Sequence, residues 1–223
     1  VAQRLNLGAG ANSPLYNGVL YMHFASYARN QGVWLNWVHP NPASQSDSNI
    51  SQLQAGAANS NGVIYQLSAV GVAGITDGTS NTILLGEWAY GKLNAGDQSQ
   101  WHWWTGYKAG DAGFGTQYVI NPEGRCNNAA ENNGSTSYVY DGAAGSFHPG
   151  GANFVFCDGS VRFLKDTINT SPYNPATCTI TNIQGAHTNF SFIPQGTAGY
   201  APIGVYQALS TRAGGEVISS DSF

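Results

Sequence analysis

The run Ala152-Asn153-Phe154-Val155-Phe156-Cys157-Asp158-Gly159-Ser160-Val161-Arg162-Phe163-Leu164 decides the fold class. Side chains of an extended strand alternate between faces, so Phe154 and Phe156 share one face while Val155 and Cys157 share the other. Asp158-Gly159 offers the two positive-φ positions of a type I′ turn, and Ser160 to Leu164 returns as a second strand. The stretch predicts a β-hairpin. His148-Pro149-Gly150-Gly151 precedes it, and a proline followed by paired glycines fits a tight, exposed lead-in loop.

Outward from this hairpin, strand signals outweigh helix signals. Val33 to Trp37, Gly62 to Leu67, Thr82 to Leu85, Tyr138 to Tyr140 and Ile203 to Tyr206 are short runs with strand-forming side chains. Turn pairs punctuate them: Asn17-Gly18, Asn61-Gly62, Asp77-Gly78, Asn133-Gly134, Asp141-Gly142 and Asp158-Gly159. Gly, Asn and β-branched residues interrupt nearly every window that could hold a 3.6-residue period. The best helical candidate is Ser48 to Leu53, capped by Asp47 or Ser48. With no fixed-period repeat and no long linker, the expectation is a single domain over residues 1–223. Its class is mainly β: antiparallel sheet with hairpins and long loops.

Composition narrows the function classes. The chain has 223 residues, with 8 Lys+Arg against 12 Asp+Glu, a net charge of −4 and only 9% charged residues. An ordinary soluble domain carries about 25%. Sparse, slightly acidic charge argues against a nucleic-acid binder, which needs a basic stripe, and against a long charged coiled coil. Hydrophobic residues at 42%, with 12% aromatic, are ample for a core and exclude global disorder. With 29 glycines and many Asn, Ser and Thr residues, the chain suits a secreted, loop-rich β protein. No run of apolar residues is long enough to span a bilayer. The start at Val1-Ala2-Gln3 lacks an initiator Met and an apolar signal core, which reads as a processed or truncated beginning.

Three cysteines are present. Cys157 sits in the alternating hairpin run and reads as a buried small hydrophobe. Cys126 and Cys178 lie in Asn/Pro/Thr-rich loop sequence and are the favoured disulfide pair, although spacing alone does not fix connectivity. No Cys or His pair has the close spacing of a zinc site.

Three blocks resemble one family. His148, nine residues, then Asp158-Gly159 is similar to the H-X9-DG signature of a large planctomycete-type family with a type IV prepilin-like N-terminus. Ile75 to Glu87, with Asp77, Gly78, Asn81 and Gly86, is similar to the same family, as is Gln207 to Val217 with Arg212 and Glu216. The blocks follow in order over residues 75–217, and residues 1–74 match loosely. The family's leader and apolar helix are not identifiable in this chain. The resemblance implies an extracellular pilin- or pseudopilin-like subunit of a cell-surface filament or secretion apparatus. This chain would be its head domain, α+β if the family's N-terminal helix is counted.

Several constellations could carry chemistry. His148 and Asp158 form a metal or acid/base pair if the hairpin brings them together. The simpler reading makes Asp158 a turn residue and bonds His148 within the lead-in loop. Asp77-Gly78-Thr79-Ser80-Asn81 is a dense oxygen cluster, and Ca²⁺ could take Asp77 with a distant carboxylate such as Glu87 or Asp158. An Asx turn explains Asp77 equally well. Pseudopilin heads do bind Ca²⁺, so the resemblance raises that alternative; no cofactor is required. Glu87 ends an apolar strand and, if buried, needs a partner such as Arg162 or Arg212. No Gly-X-Ser-X-Gly elbow or other hydrolase motif appears.

Trp101-His102-Trp103-Trp104, with Trp34, Trp37 and Tyr107, is the remaining feature. Alternation puts Trp101 and Trp103 on one face and His102 and Trp104 on the other. Core packing explains one face; the other reads as a carbohydrate platform or an assembly patch. The sequons at Asn49, Asn133, Asn169 and Asn189 carry little information. The leading expectation is a non-enzymatic structural subunit that self-assembles or joins other pilin-like subunits. The alternative is a module binding an extracellular polysaccharide or solute, and a hydrolase ranks third.

Overall fold

The hairpin forms where alternation puts it, as β6 (Gly151–Phe156) and β7 (Val161–Lys165), paired antiparallel from Gly151 opposite Lys165 to Val155 opposite Val161. Its turn differs from the expected type I′. Gly159 N–H donates to Phe156 O at 2.9 Å and Phe156 N–H donates to Ser160 O at 2.8 Å, leaving a three-residue loop. Of the Asp158-Gly159 pair, only Gly159 has positive φ, +85°. The ladder runs one pair further because Phe156 is wholly buried and the Arg162 guanidinium lies 4.4 Å over its ring. That extension converts a two-residue turn into the three-residue form, with glycine in the left-handed position.

In the computed structural model, residues 3–7, 18–35, 60–65, 67–98, 102, 112–129, 139–180 and 203–216 are described, together with 54, 57, 58 and 218. β1 (Gln3–Leu7) and β2 (Gly18–Met22) make a separate antiparallel ribbon. The main sheet adds β3 (Tyr27–Asn30), β4 (Ile83–Glu87) and β5 (Gly113–Phe114), in the order β5-β3-β4-β6-β7. All its pairings are antiparallel except β3 with β5. The described α-helices, α1 (Ala95–Gln98) and α2 (Val205–Ala208), are a single turn each, so the protein is mainly β.

One face of this sheet is core. Ala28, Ile83, Phe154, Phe156 and Leu164 are all essentially buried there, joined by Phe114, Trp88, Ile120, Tyr206 and Leu209. Gly86 lies where the packing leaves no room for a side chain: a Cβ built on it would stand 2.8 Å from the Phe154 ring and 3.0 Å from Phe114. The glycine of the Leu-Leu-Gly-Glu run thus lets two rings meet edge-on across β4, with centroids 5.9 Å apart. A register shift between Ile83 and Leu85 marks a bulge, after which β4 alternates Leu85 out, Gly86 in, Glu87 out, Trp88 in.

Other expected strands resolve differently. Thr82 to Leu85 lies at the start of β4, as read. Val33 to Leu35 and Gly62 to Tyr65 are irregular, pressed together by bonds such as Val33 N–H to Asn61 Oδ1 at 2.9 Å. Val139 and Tyr140 form a bend. Ile203 to Tyr206 is no strand: it opens α2, where Gly204 N–H reaches Ser171 Oγ and Val205 N–H reaches Asn169 Oδ1. Those bonds satisfy the first turn and swing Tyr206 and Leu209 into the core, overriding strand propensity. The helix expected over Ser48 to Leu53, together with residues 36–37, 66 and 138 of the expected strands, falls outside the described residues.

Candidate functional site

The opposite sheet face carries the chemistry. Register places Tyr27 beside Glu87 and Asn153 beside Phe163. Asn153 closes the row by donating to Glu87 Oε2 from its backbone N–H at 2.6 Å and from Nδ2 at 3.2 Å. Tyr27, Glu87, Asn153 and Phe163 therefore form a line across four strands. His148 caps it, with Nε2 3.3 Å from Glu87 Oε1 and its ring edge-on to Phe163 at 6.4 Å. The lead-in loop holds His148 there through its N–H, which donates to Ser146 Oγ at 2.9 Å.

Beside this row opens a cleft of about 530 Å³, walled by Phe24, Tyr27, Tyr90 and Phe147 and edged by Glu87 and His148. Phe24 and Tyr90 stack at 4.2 Å, and Phe147 stands 73% exposed with the Lys92 ammonium 5.8 Å from its ring centre. Lys92 is itself held by Glu123 and Asn121. Desolvation raises the Tyr90 hydroxyl above its ordinary pKa. Trp88, also in the cleft wall, stacks at 3.4 Å on His102 beneath. Burial pushes His102 down to about 3, so its ring is neutral. Its Nε2 lies 3.2 Å from the Asp141 carbonyl, which fixes the proton on Nε2; among the described residues Nδ1 is buried without a partner.

His148 and Asp158 do not meet. They lie beyond opposite ends of β6, and its six residues put about 20 Å between those ends. Asp158 Oδ1 accepts Ser160 N–H at 2.9 Å and Ser160 Oγ–H at 2.7 Å, with Arg162 3.9 Å from the other oxygen. Those Ser160 bonds, aided by Arg162, hold its carboxyl below the usual aspartate range. Asp158 is therefore a turn residue. Glu87 takes His148 and Asn153 as partners, where Arg162 or Arg212 was expected. Arg162 covers Phe156, and Arg212 donates to the Ser60 and Gly62 carbonyls at 2.6 and 2.7 Å.

Asp77 is a clasp. Its carboxylate accepts Gly214 N–H at 2.6 Å, Gly215 N–H at 2.9 Å and the Thr211 hydroxyl at 3.1 Å. Gly78 and Asn81 complete the local turn, with Asn81 N–H donating to Gly78 O at 3.0 Å. The three carboxylates considered for calcium, Asp77, Asp158 and Glu87, thus serve three separate bonding sets. Among the described residues no group of three or more His, Cys, Asp or Glu side chains could hold a metal ion. The motif blocks do converge in space: Ile83 N–H donates to Leu209 O, Cys157 N–H to Thr82 O and Asp158 N–H to Thr79 O.

No disulfide joins Cys126 to Cys178; all three cysteines are free thiols. The favoured two are nevertheless neighbours, Cys126 packing against buried Cys178. A hydrogen bond from the Cys178 thiol lowers the Cys126 pKa. Cys157 is half-buried where full burial was expected, since its outward face lies beside Asp158, and burial with that carboxylate pushes it up to about 11. Of the aromatic patch, Trp34 is half-buried against the Val33–Ile180 cluster. Trp37, Trp101, Trp103, Trp104 and Tyr107 fall outside the described residues.

The sequence reading missed Tyr27, Phe24, Tyr90, Phe147, Asn153 and Phe163. One signal was available: Asn153 interrupts the outward positions of an apolar strand, and such a residue needs a polar cross-strand partner.

A family model described as protein of unknown function (DUF1559) matches residues 26–171. The chain belongs to this family. The match includes the Glu87–His148 site and residues 26–74, the greater part of the 1–74 stretch expected to match only loosely. It ends before the C-terminal block that Asp77 clasps. No curated protein and no solved structure matches this DUF1559 chain.

Proposed function

We propose that this chain is a non-enzymatic, extracellular, pilin-like structural subunit that assembles with copies of itself at the cell surface. The edge strand β7 carries the proposal. Its outward side chains Val161 and Phe163 are 64% and 44% exposed. Hydrogen-bonded pairing at Phe156–Ser160 and Gly150–Asp166 fixes the alternation of the ladder. The amides of Val161, Phe163 and Lys165 consequently point away from β6. Among the described residues these amides have no acceptor, and an apolar edge with unspent backbone donors is a template for a second strand. The resemblance of the His148–Gly159 block to the H-X9-DG signature supports the pilin-like assignment. Among the described residues no helix is long and apolar enough to cross a membrane.

Sedimentation velocity tests assembly. The wild-type chain should form concentration-dependent oligomers that Val161→Lys and Phe163→Lys abolish. A wild type that stays monomeric at high concentration would remove the proposal. Placement outside the cell gives a second test through Cys126 and Cys178. Thiol–disulfide exchange with an oxidised partner should close this pair, lowering the intact mass by two hydrogens. The chain-entropy model assigns such a loop about 4 kcal/mol of stabilisation. Native protein isolated with both thiols free would argue against that placement.

A further inference from the structure

We propose that the cleft beside Glu87 and His148 is a binding site for a neutral saccharide. This goes beyond the structural-subunit reading and stands independently of it. A pyranose ring presents an apolar C–H face and a rim of hydroxyls, so its site needs aromatic surface beside a few hydrogen-bonding groups. The cleft offers both. Tyr27 and Phe147 expose 52% and 73% of their surface there, and Phe24 and Tyr90 continue the wall. Glu87, His148, Ser26 and Ser146 supply acceptors and donors along it. The volume of about 530 Å³ falls within the range of small-ligand sites.

Charge selects among ligand classes. Lys92 already lies over the Phe147 ring, 5.8 Å from its centre, and opposes a second cation at that wall. Glu87 opposes an anion, because the only group within ion-pair reach of it among the described residues is His148. A neutral polyol meets neither obstacle. The Glu87 carboxylate is also preorganised, since both Asn153 donors fix one oxygen and leave the other toward His148 at the cleft edge. The His148 side chain stays 57% exposed and is open to a ligand hydroxyl.

Isothermal titration of the whole chain with maltohexaose, cellohexaose and N-acetylchitohexaose tests the site, with choline and an oligogalacturonate as charged probes. At least one neutral probe should saturate, with Kd of about 1 mM or tighter. Phe147→Ala and Glu87→Gln should weaken it about tenfold or more, and Val72→Ser, an exposed apolar change elsewhere, should leave it unaltered. Phe147 is solvent-facing, so Phe147→Ala carries the test if Glu87→Gln impairs folding. No heat from any neutral probe up to about 10 mM would overturn the proposal. So would preferential binding of choline or the oligogalacturonate, or a neutral affinity that survives Phe147→Ala.

Discussion

The two faces of the central sheet are made by the same strands and do different work. On the inner face Ala28, Gly86, Phe154 and Leu164 are fitted so closely that an added Cβ at Gly86 meets two rings. On the outer face Tyr27, Glu87, Asn153 and Phe163 stand one residue away in each strand, partly exposed and bonded sideways. A period of two puts structure and candidate chemistry on adjacent residues. Stability should therefore respond to one set of positions, and binding or association to the other.

The largest separation should come from Phe154→Ala, which removes a wholly buried ring and should lower unfolding free energy by about 3–5 kcal/mol. A loss below about 1 kcal/mol in urea denaturation would show that this face is not the core.

The layer beneath the cleft should show itself through pH. His102 is held down to about 3 in the fold against 6.5 when unfolded. Between those values the unfolded chain binds the extra proton, so stability is intact above about pH 6.5 and falls as pH drops toward 3. The slope from this group is about 1.4 kcal/mol per pH unit. His102→Leu should flatten the denaturation midpoint over this window; an unchanged slope would assign the acid sensitivity to other groups.

Asp77 sits between these extremes. Asp77→Ala leaves the Gly214 and Gly215 amides without their acceptor and should cost about 1–3 kcal/mol. Added Ca²⁺ should leave the wild-type melting temperature unchanged if the carboxylate is spent on this clasp. A rise in melting temperature with Ca²⁺ that Asp77→Ala abolishes would restore it as a ligand.

The smallest effect on stability belongs to the outer edge. Phe163→Lys, at a half-exposed position, should shift unfolding by only about 0.5 kcal/mol while removing self-association. A large loss of stability would mean that Phe163 belongs to the core and would blur the contrast between the faces.

The inner face was legible where period and turn agreed, as in Ala152 to Leu164. It was illegible in β3, Tyr-Ala-Arg-Asn, whose Asn30 is buried by donating to the Ile83 and Ser210 carbonyls at 2.8 Å each. No local pattern announces such a long-range contact. Ile203 to Tyr206 misled because capping by Ser171 and Asn169 made a helical turn from strand formers. The motif residues His148 and Glu87 could be named from sequence, but their pairing depends on the β4–β6 register. The cleft's aromatic wall draws on Phe24, Tyr27, Tyr90 and Phe147, and only the sheet brings those stretches together.

Hydrogen exchange of the β7 amides against protein concentration probes assembly through this edge most directly. The Val161, Phe163 and Lys165 amides should exchange freely in dilute protein and gain protection as concentration rises, while the inward Arg162 and Leu164 amides stay protected throughout. Exchange at Val161, Phe163 and Lys165 that is independent of concentration would contradict assembly through β7.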